Sequence, residues 1–203
     1  MVSTGQEQKM EDSGSAHTKK KIIRAASKLF EKKGLYQTSV GEIAELAGVS
    51  VPEAYKYVRR KSEIMLLIME DFTNQFKKRI LPEIEYLDDP KEQLFRAMKM
   101  FYAIVAENAP QALLLYRESN TLDKGGKAKI MEAELACVNI FRDILEEGVR
   151  LGIFKPHDTE QVAYNIVLLG HSWVLKRWHF KKRFELEEYI ELQYHFFIGA
   201  LTA

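Results

Sequence analysis

Along most of the chain the apolar residues recur every three or four positions, and Gly and Pro fall between the periodic blocks. That period stacks apolar side chains on one face of a helix, so the pattern predicts an all-α fold. Residues 18–33 place Ile22, Ile23, Ala26, Leu29 and Phe30 on one face and lysines on the other, with Gly34 where a left-handed residue closes a helix. Residues 1–16 are polar and rich in Ser, Gly and Glu, which predicts a disordered arm.

Two short helices follow, each announced by its cap. Ser39 and Glu42 have capping-box spacing, and the helix they open runs through Ile43, Ala44, Leu46 and Ala47 to Gly48. Ser50 and Glu53 repeat the spacing, with Pro52 in the first turn, where its missing N–H removes no hydrogen bond. The next residues are Ala54, Tyr55, Lys56, Tyr57 and Val58. Two short helices joined by a glycine turn and braced by a longer one match the helix-turn-helix, whose second helix lies in the major groove of DNA.

Charge sharpens this division. The whole chain has 30 Lys and Arg against 29 Asp and Glu, a net charge of +1. Residues 17–61 nevertheless hold 11 basic and 4 acidic side chains, a surplus of +7, while residues 62–203 hold 18 and 22, a balance of −4. A basic module on an acidic body is the footprint of a chain that meets a polyanion at one end. The expected organisation is an arm at 1–16, a three-helix DNA-binding domain at 17–61 and a larger helical effector-binding and dimerisation domain at 62–203.

Residues 20–65 resemble the DNA-binding domain of the TetR family of bacterial repressors. The stretches that carry the resemblance are IIRAASKLFEKKGLYQTSV, GEIAELAGVS, and Tyr55 and Tyr57 followed by Lys61, Glu63 and Ile64. It implies phosphate contacts from Tyr55, Tyr57 and Lys61, joined by the Ser39 hydroxyl and the Ser50 cap. Where the family commonly has Lys-Gly-Thr-Leu, this chain has Val51, Pro52, Glu53 and Ala54. Val51 has the chemistry to pack on a thymine methyl, and Glu53 either accepts from cytosine N4 or serves only as a cap, the reading favoured here. Pro52 and Lys56 complete the expected contact set.

Beyond Lys61 the pattern predicts six more helices with apolar stripes wide enough to pack on several sides. Two of them point to self-association. Val162, Ile166, Leu169 and Trp173 form one stripe and Ala163, Val167, Gly170 and Val174 another; the last helix repeats this with Tyr189, Leu192, Phe196 and Gly199 beside Ile190, Tyr194, Phe197 and Leu201. A bundle of these helices from two chains would bury the excess, with Val162, Ile166, Gly170, Val174, Tyr189, Phe196 and Phe197 at its interface. A homodimer also sets two reading heads about 34 to 36 Å apart, as a palindromic operator requires.

The stretches LLLYRESNTL, GHSWVLKRWHF and EEYIELQYHFFIGAL resemble the C-terminal domains of acyl-CoA-responsive members of the same family. Such an effector needs an apolar tunnel with cations at its mouth. Phe101, Tyr102, Val105, Tyr116, Phe141 and Trp173 are candidate walls; Arg117, Lys176 and Arg177 are candidate anion contacts.

Other chemistries find little support. The single cysteine, Cys137, excludes an internal disulfide framework. The five histidines form no H-E-x-x-H pair and no glycine-rich loop cradles a phosphate, so no metal, cofactor or catalytic residue is expected. No run approaches the roughly twenty apolar residues that span a bilayer, and residues 1–18 lack the apolar centre of a signal peptide. The expected location is cytoplasmic, without a membrane partner. The expected function is a homodimeric repressor released from a palindromic operator by a hydrophobic, acyl-CoA-like effector; the alternative is an α-helical ligand carrier or enzyme that does not bind DNA.

Overall fold

The computed structural model describes residues 4–60 and 62–202, with side chains from Gly14 onward. Lys61 and the first three residues of the predicted arm therefore lie outside the described residues. Eleven α-helices and one 3-10 turn are described, and no strand occurs among the described residues. They are α1 (Thr4–Lys33), α2 (Val40–Ala47), α3 (Val51–Tyr57), α4 (Glu63–Arg79), α5 (Leu81–Ile84), α6 (Pro90–Glu107), α7 (Ala109–Glu118), the 3-10 turn Ser119–Thr121, α8 (Lys124–Arg150), α9 (Thr159–Leu175), α10 (Arg177–Phe180) and α11 (Leu186–Thr202).

The contacts divide the chain into two units. The first is the chain through Ile68 together with Leu114–Lys127; the second is Met69–Leu113 together with the chain from Ala128 onward.

In the first unit the apolar face of α1 contributes Ile22, Ile23, Ala25, Ala26 and Phe30 to a core shared with Val40, Ile43, Ala44 and Ala47 of α2 and Ala54 of α3. Gly34 ends α1 at φ 83° and Gly48 ends α2 at φ 65°, a left-handed backbone that L side chains resist. One expectation is corrected here. From Thr4 to Ala16 the chain is helical and continues into α1. The segment has no apolar stripe to nucleate a helix alone, but extending one already anchored at Ile22 adds a hydrogen bond per residue without a new nucleus.

In the second unit α6 packs on both α9 and α11. Leu94, Ala97, Met98, Phe101, Tyr102, Ile104 and Val105 form its buried face. Tyr102 donates its hydroxyl to the Ile166 carbonyl at 3.0 Å, which satisfies the one polar atom of a fully buried ring. Gly170 brings α9 close to that face: a Cβ there would lie 2.7 Å from the Phe101 ring and 2.8 Å from Tyr102. Pro82 falls in the first turn of α5, so α4 stops at Arg79 and a short helix restarts after Ile80.

Candidate DNA interface and effector cavity

The helix-turn-helix is built by caps. The Glu42 amide donates to the Ser39 hydroxyl at 3.2 Å and the Ser39 amide donates back to Glu42 Oε2 at 2.8 Å, closing the capping box. The Lys33 ammonium pairs with the same carboxylate, and with the Ser39 donors it holds Glu42 down to about 2, far below the usual carboxylate range. Gly48 then turns the chain into α3, where the Glu53 amide donates to the Ser50 hydroxyl at 3.2 Å. Glu53 is thus the residue whose backbone is capped, while its side chain accepts a long hydrogen bond from Thr18 Oγ1 at 3.4 Å.

What α3 buries and what it shows are sharply divided. Ala54 is buried, and Val58 is buried at the cap that ends the helix. Val51 is 42 % exposed and Tyr55 48 %, and Pro52 and Lys56 are exposed beside them. Large apolar side chains pointing outward from a short capped helix are poor for folding and suited to base edges and thymine methyls. Tyr57 is half-buried and donates to Ser15 Oγ at 3.4 Å, so the N-terminal half of α1 touches α3 at two points.

Beside this helix lies a cleft of 530 Å³ lined by Tyr36, Gln37, Thr38, Ser39, Val40, Arg59 and Arg60. Of these the sequence reading singled out only Ser39. The signal for the rest was the Arg59–Arg60 pair directly after α3, which the charge count included without assigning it a place. Glu63 accepts from the Arg59 amide at 2.8 Å, which holds its carboxyl below the ordinary range, and it pairs with the Arg60 side chain at 3.4 Å.

In the second unit a cavity of 260 Å³ is lined by Ala106, Ala109, Trp173, Val174, Arg177, Lys181, Phe184, Glu185 and Leu186. Two expected effector residues, Trp173 and Arg177, meet there; Val174, expected at a dimer interface, also lines it. The other expected walls do not. Phe101 and Phe141 are buried edge to face with ring centres 5.6 Å apart, and Tyr102 and Val105 fill the same core. Lys176 is exposed at the α9 cap and does not line the cavity. Tyr116 and Arg117 fall in the first unit, where Arg117 pairs with Glu118 at 2.7 Å and donates to the Phe30 carbonyl at 3.4 Å. Lys181 and Phe184 are the lining residues that the helical stripes gave no reason to expect, because they lie on the connection between α10 and α11.

Residues 22–68 match the bacterial regulatory proteins, tetR family, and residues 87–181 match the tetracyclin repressor-like C-terminal domain. The HTH-type transcriptional regulator HbdR of Aromatoleum sp. (strain CIB) is 31 % identical over 170 residues, covering 84 % of this chain and 74 % of that protein. The chain belongs to the TetR family. It is a DNA-binding transcriptional regulator, not an enzyme. The fatty acid metabolism regulator protein of Bacillus subtilis (strain 168) is 28 % identical over 134 residues, 66 % of this chain and 69 % of that one. The fold is shared with AibR, solved with isovaleryl coenzyme A and operator DNA, at TM-score 0.71 and 19 % identity over 91 % of this chain and 98 % of that one.

For this TetR-family chain the helices expected to dimerise need one revision. Ile166, Gly170, Val174, Tyr189 and Phe197 are buried within the single chain. Gly170 is occupied by the Phe101 and Tyr102 rings, and Tyr189 donates to the Leu169 carbonyl at 2.8 Å while packing on Trp173. Val162 is half-buried, and Phe196 alone of the set is well exposed, at 66 %. The residues that do leave apolar surface on α9 and α11 are Leu168, Leu175, Leu192 and Phe196, with Gly199 in open space on the same face as Leu192 and Phe196. No described helix is long and apolar enough to cross a membrane.

Proposed function

We propose that the protein is a cytoplasmic homodimeric repressor that holds a palindromic operator and releases it when a hydrophobic, acyl-CoA-like effector enters the second unit. The observation that carries the DNA half is the outward set Val51, Pro52, Tyr55 and Lys56 on a helix anchored by Ala54 and capped by Ser50. Lys61, at the end of the basic module that starts at residue 17, and Ser39, Tyr57, Arg59 and Arg60 are proposed phosphate contacts. Glu53 is proposed as a brace for α1 at Thr18 rather than a base contact.

The dimer is proposed through α9 and α11 by way of Leu168, Leu175, Leu192 and Phe196. A twofold axis there lets one apolar patch cover its own copy, the isologous contact of C2 dimers. The effector half rests on the cavity with Trp173 as wall and Arg177 as cation. It is supported by the likeness to a fatty acid metabolism regulator and to a regulator solved with an acyl-coenzyme A.

Sedimentation and a gel-shift with the DNA upstream of the protein's own coding sequence, each at two salt concentrations, test the reading. A dimer with affinity that falls steeply with salt is expected, since displaced counterions follow the number of phosphates contacted. Leu192→Asp with Phe196→Asp should give a folded monomer that no longer shifts the fragment. Absent or salt-independent binding by the wild type, or a monomeric wild type, overturns it.

A further inference from the structure

The cavity has a definite size and only one charged side, and together they describe what fits. An apolar cavity of about 150 Å³ takes up a benzene, and the share of one water in the liquid, about 30 Å³, approximates a methylene. On that scale 260 Å³ holds an acyl group of roughly eight or nine carbons at most. A sixteen-carbon chain needs on the order of 480 Å³.

Toward the interior the cavity is walled by aromatic side chains. Trp173 stands at its wall and is itself packed against Tyr189, with ring centres 5.2 Å apart, and stacked on Phe180 at 6.4 Å. The neighbouring core is filled by Phe101, Tyr102 and Phe141, and the groove along Gly170 is taken by two of those rings. Threading a long chain inward would displace aromatic side chains that are at most 1 % exposed, at the expense of close packing.

The charged side carries two cations and one carboxylate, Arg177, Lys181 and Glu185. Among the described residues no ion pair is recorded for Arg177 or Lys181, and both line the cavity. They belong to the run Lys176–Arg183, which holds five Lys and Arg and no acid. Two cations against one carboxylate, beside walls of Trp173, Val174, Phe184 and Leu186, suit a ligand with an uncharged compact end and a phosphate-bearing end.

We infer that the effector is a coenzyme A thioester of a compact acyl group, branched or single-ringed rather than long-chain, and that Arg177 and Lys181 hold its phosphates. This rests on the acyl-CoA reading above and goes further by naming the acyl class and the two cations. Thermal shift and operator release are to be measured with coenzyme A, isovaleryl-CoA, benzoyl-CoA and palmitoyl-CoA, the last below its micelle concentration. Isovaleryl-CoA or benzoyl-CoA should raise Tm and release DNA at concentrations at least tenfold below those palmitoyl-CoA requires. The double variant Arg177→Ala, Lys181→Ala should need at least tenfold more of the compact thioester while binding the operator as the wild type does without effector. Phe184→Ala, which enlarges the cavity from a half-buried position, should narrow the gap between compact and long chains.

Release by palmitoyl-CoA at equal or lower concentration overturns the size inference and leaves the acyl-CoA reading in place. An unchanged response of the double variant overturns the role of the two cations. Inactivity of all three thioesters overturns the acyl-CoA reading, and this inference with it.

Discussion

The two units place their large side chains in opposite ways. In the first, Val51 and Tyr55 point into solvent from a helix held by the small residue Ala54, and the stabilising contacts lie behind, on Ile22, Ile43 and Phe30. In the second, Phe101, Tyr102, Phe141 and Tyr189 turn inward, and the cavity is a remainder at the edge of that aromatic core. A partner as large as a DNA duplex is met on the outside, so reading and folding use different residues of the same helix. A small effector must be enclosed, so the residues that bind it compete with those that pack.

The widest separation this predicts is between Phe101 and Tyr55. Phe101→Ala removes a ring that touches Phe76, Tyr102, Phe141 and His171, and should destabilise the second unit by about 3–5 kcal/mol. Tyr55→Ala should change stability by no more than about 0.5 kcal/mol, as for other exposed sites, yet weaken operator binding. Urea unfolding followed by far-ultraviolet circular dichroism, which sees the helices of both units, and a gel-shift on the same two variants measure both. Similar losses of stability would mean that Tyr55 is structural and the division does not hold.

That contrast also explains how far the sequence could be read. Caps are local, so Ser39 with Glu42, Ser50 with Glu53, and the left-handed Gly34 and Gly48 were legible from spacing alone, as was the all-α fold. Gly170 was legible as a site of close approach, but the rings that approach it, Phe101 and Tyr102, are nearly seventy residues away and belong to the same chain. Periodicity reports that a face is apolar without saying what covers it. For the same reason Ile166, Tyr189 and Phe197 read as interface although they are core. Phe101 and Phe141 read as pocket walls, because an aromatic stripe looks alike whether it lines a cavity or fills one. Lys181 and Phe184 lie on a connection, where no helical period marks an inward face. The helical course of residues 4–16 was hidden because its composition is that of a loop and its anchor lies further along, at Ile22.

Acid should separate the units next. Burial lowers His171 from 6.5 to about 4, so the folded second unit keeps the ring neutral while the unfolded chain takes up a proton below pH 6.5. The stability of the neutral buried state is complete above pH 6.5 and is lost as the pH falls toward 4. The loss should reach about 2 kcal/mol by pH 5. Both tryptophans, Trp173 and Trp178, belong to the second unit, so their fluorescence during urea unfolding at pH 7 and pH 5 follows that unit alone. His171→Gln should flatten the difference; an equal loss in the variant would assign it to other groups.

A smaller effect is expected at the cap of the reading helix. Ser50→Ala leaves the Glu53 amide without its acceptor and should cost the first unit about 1 kcal/mol. Amide hydrogen exchange resolves the units separately: protection should fall in α3 and stay unchanged in α9. A loss of protection spread equally over both would deny that the cap acts locally.

The smallest predicted effect sets the first unit's acid response against that of the second. Glu42 is held at about 2 against an ordinary 4.5, first by the Lys33 side chain and then by the Ser39 amide and hydroxyl. Its contribution is therefore complete above pH 4.5 and disappears as the pH falls from there toward 2, below the window in which His171 acts. The carboxylate is at the surface, where screening keeps such a pair weak, so the change should be modest and should shrink in high salt. Exchange protection in α2 should hold from pH 7 to 5, where the tryptophan-reported unit has already weakened, and decline only below 4.5. Glu42→Gln should remove that late decline. If α2 instead loosens between pH 6.5 and 5 in step with the tryptophans, the two units do not respond to acid independently, and the capping box is not what fixes the acid limit of the reading head.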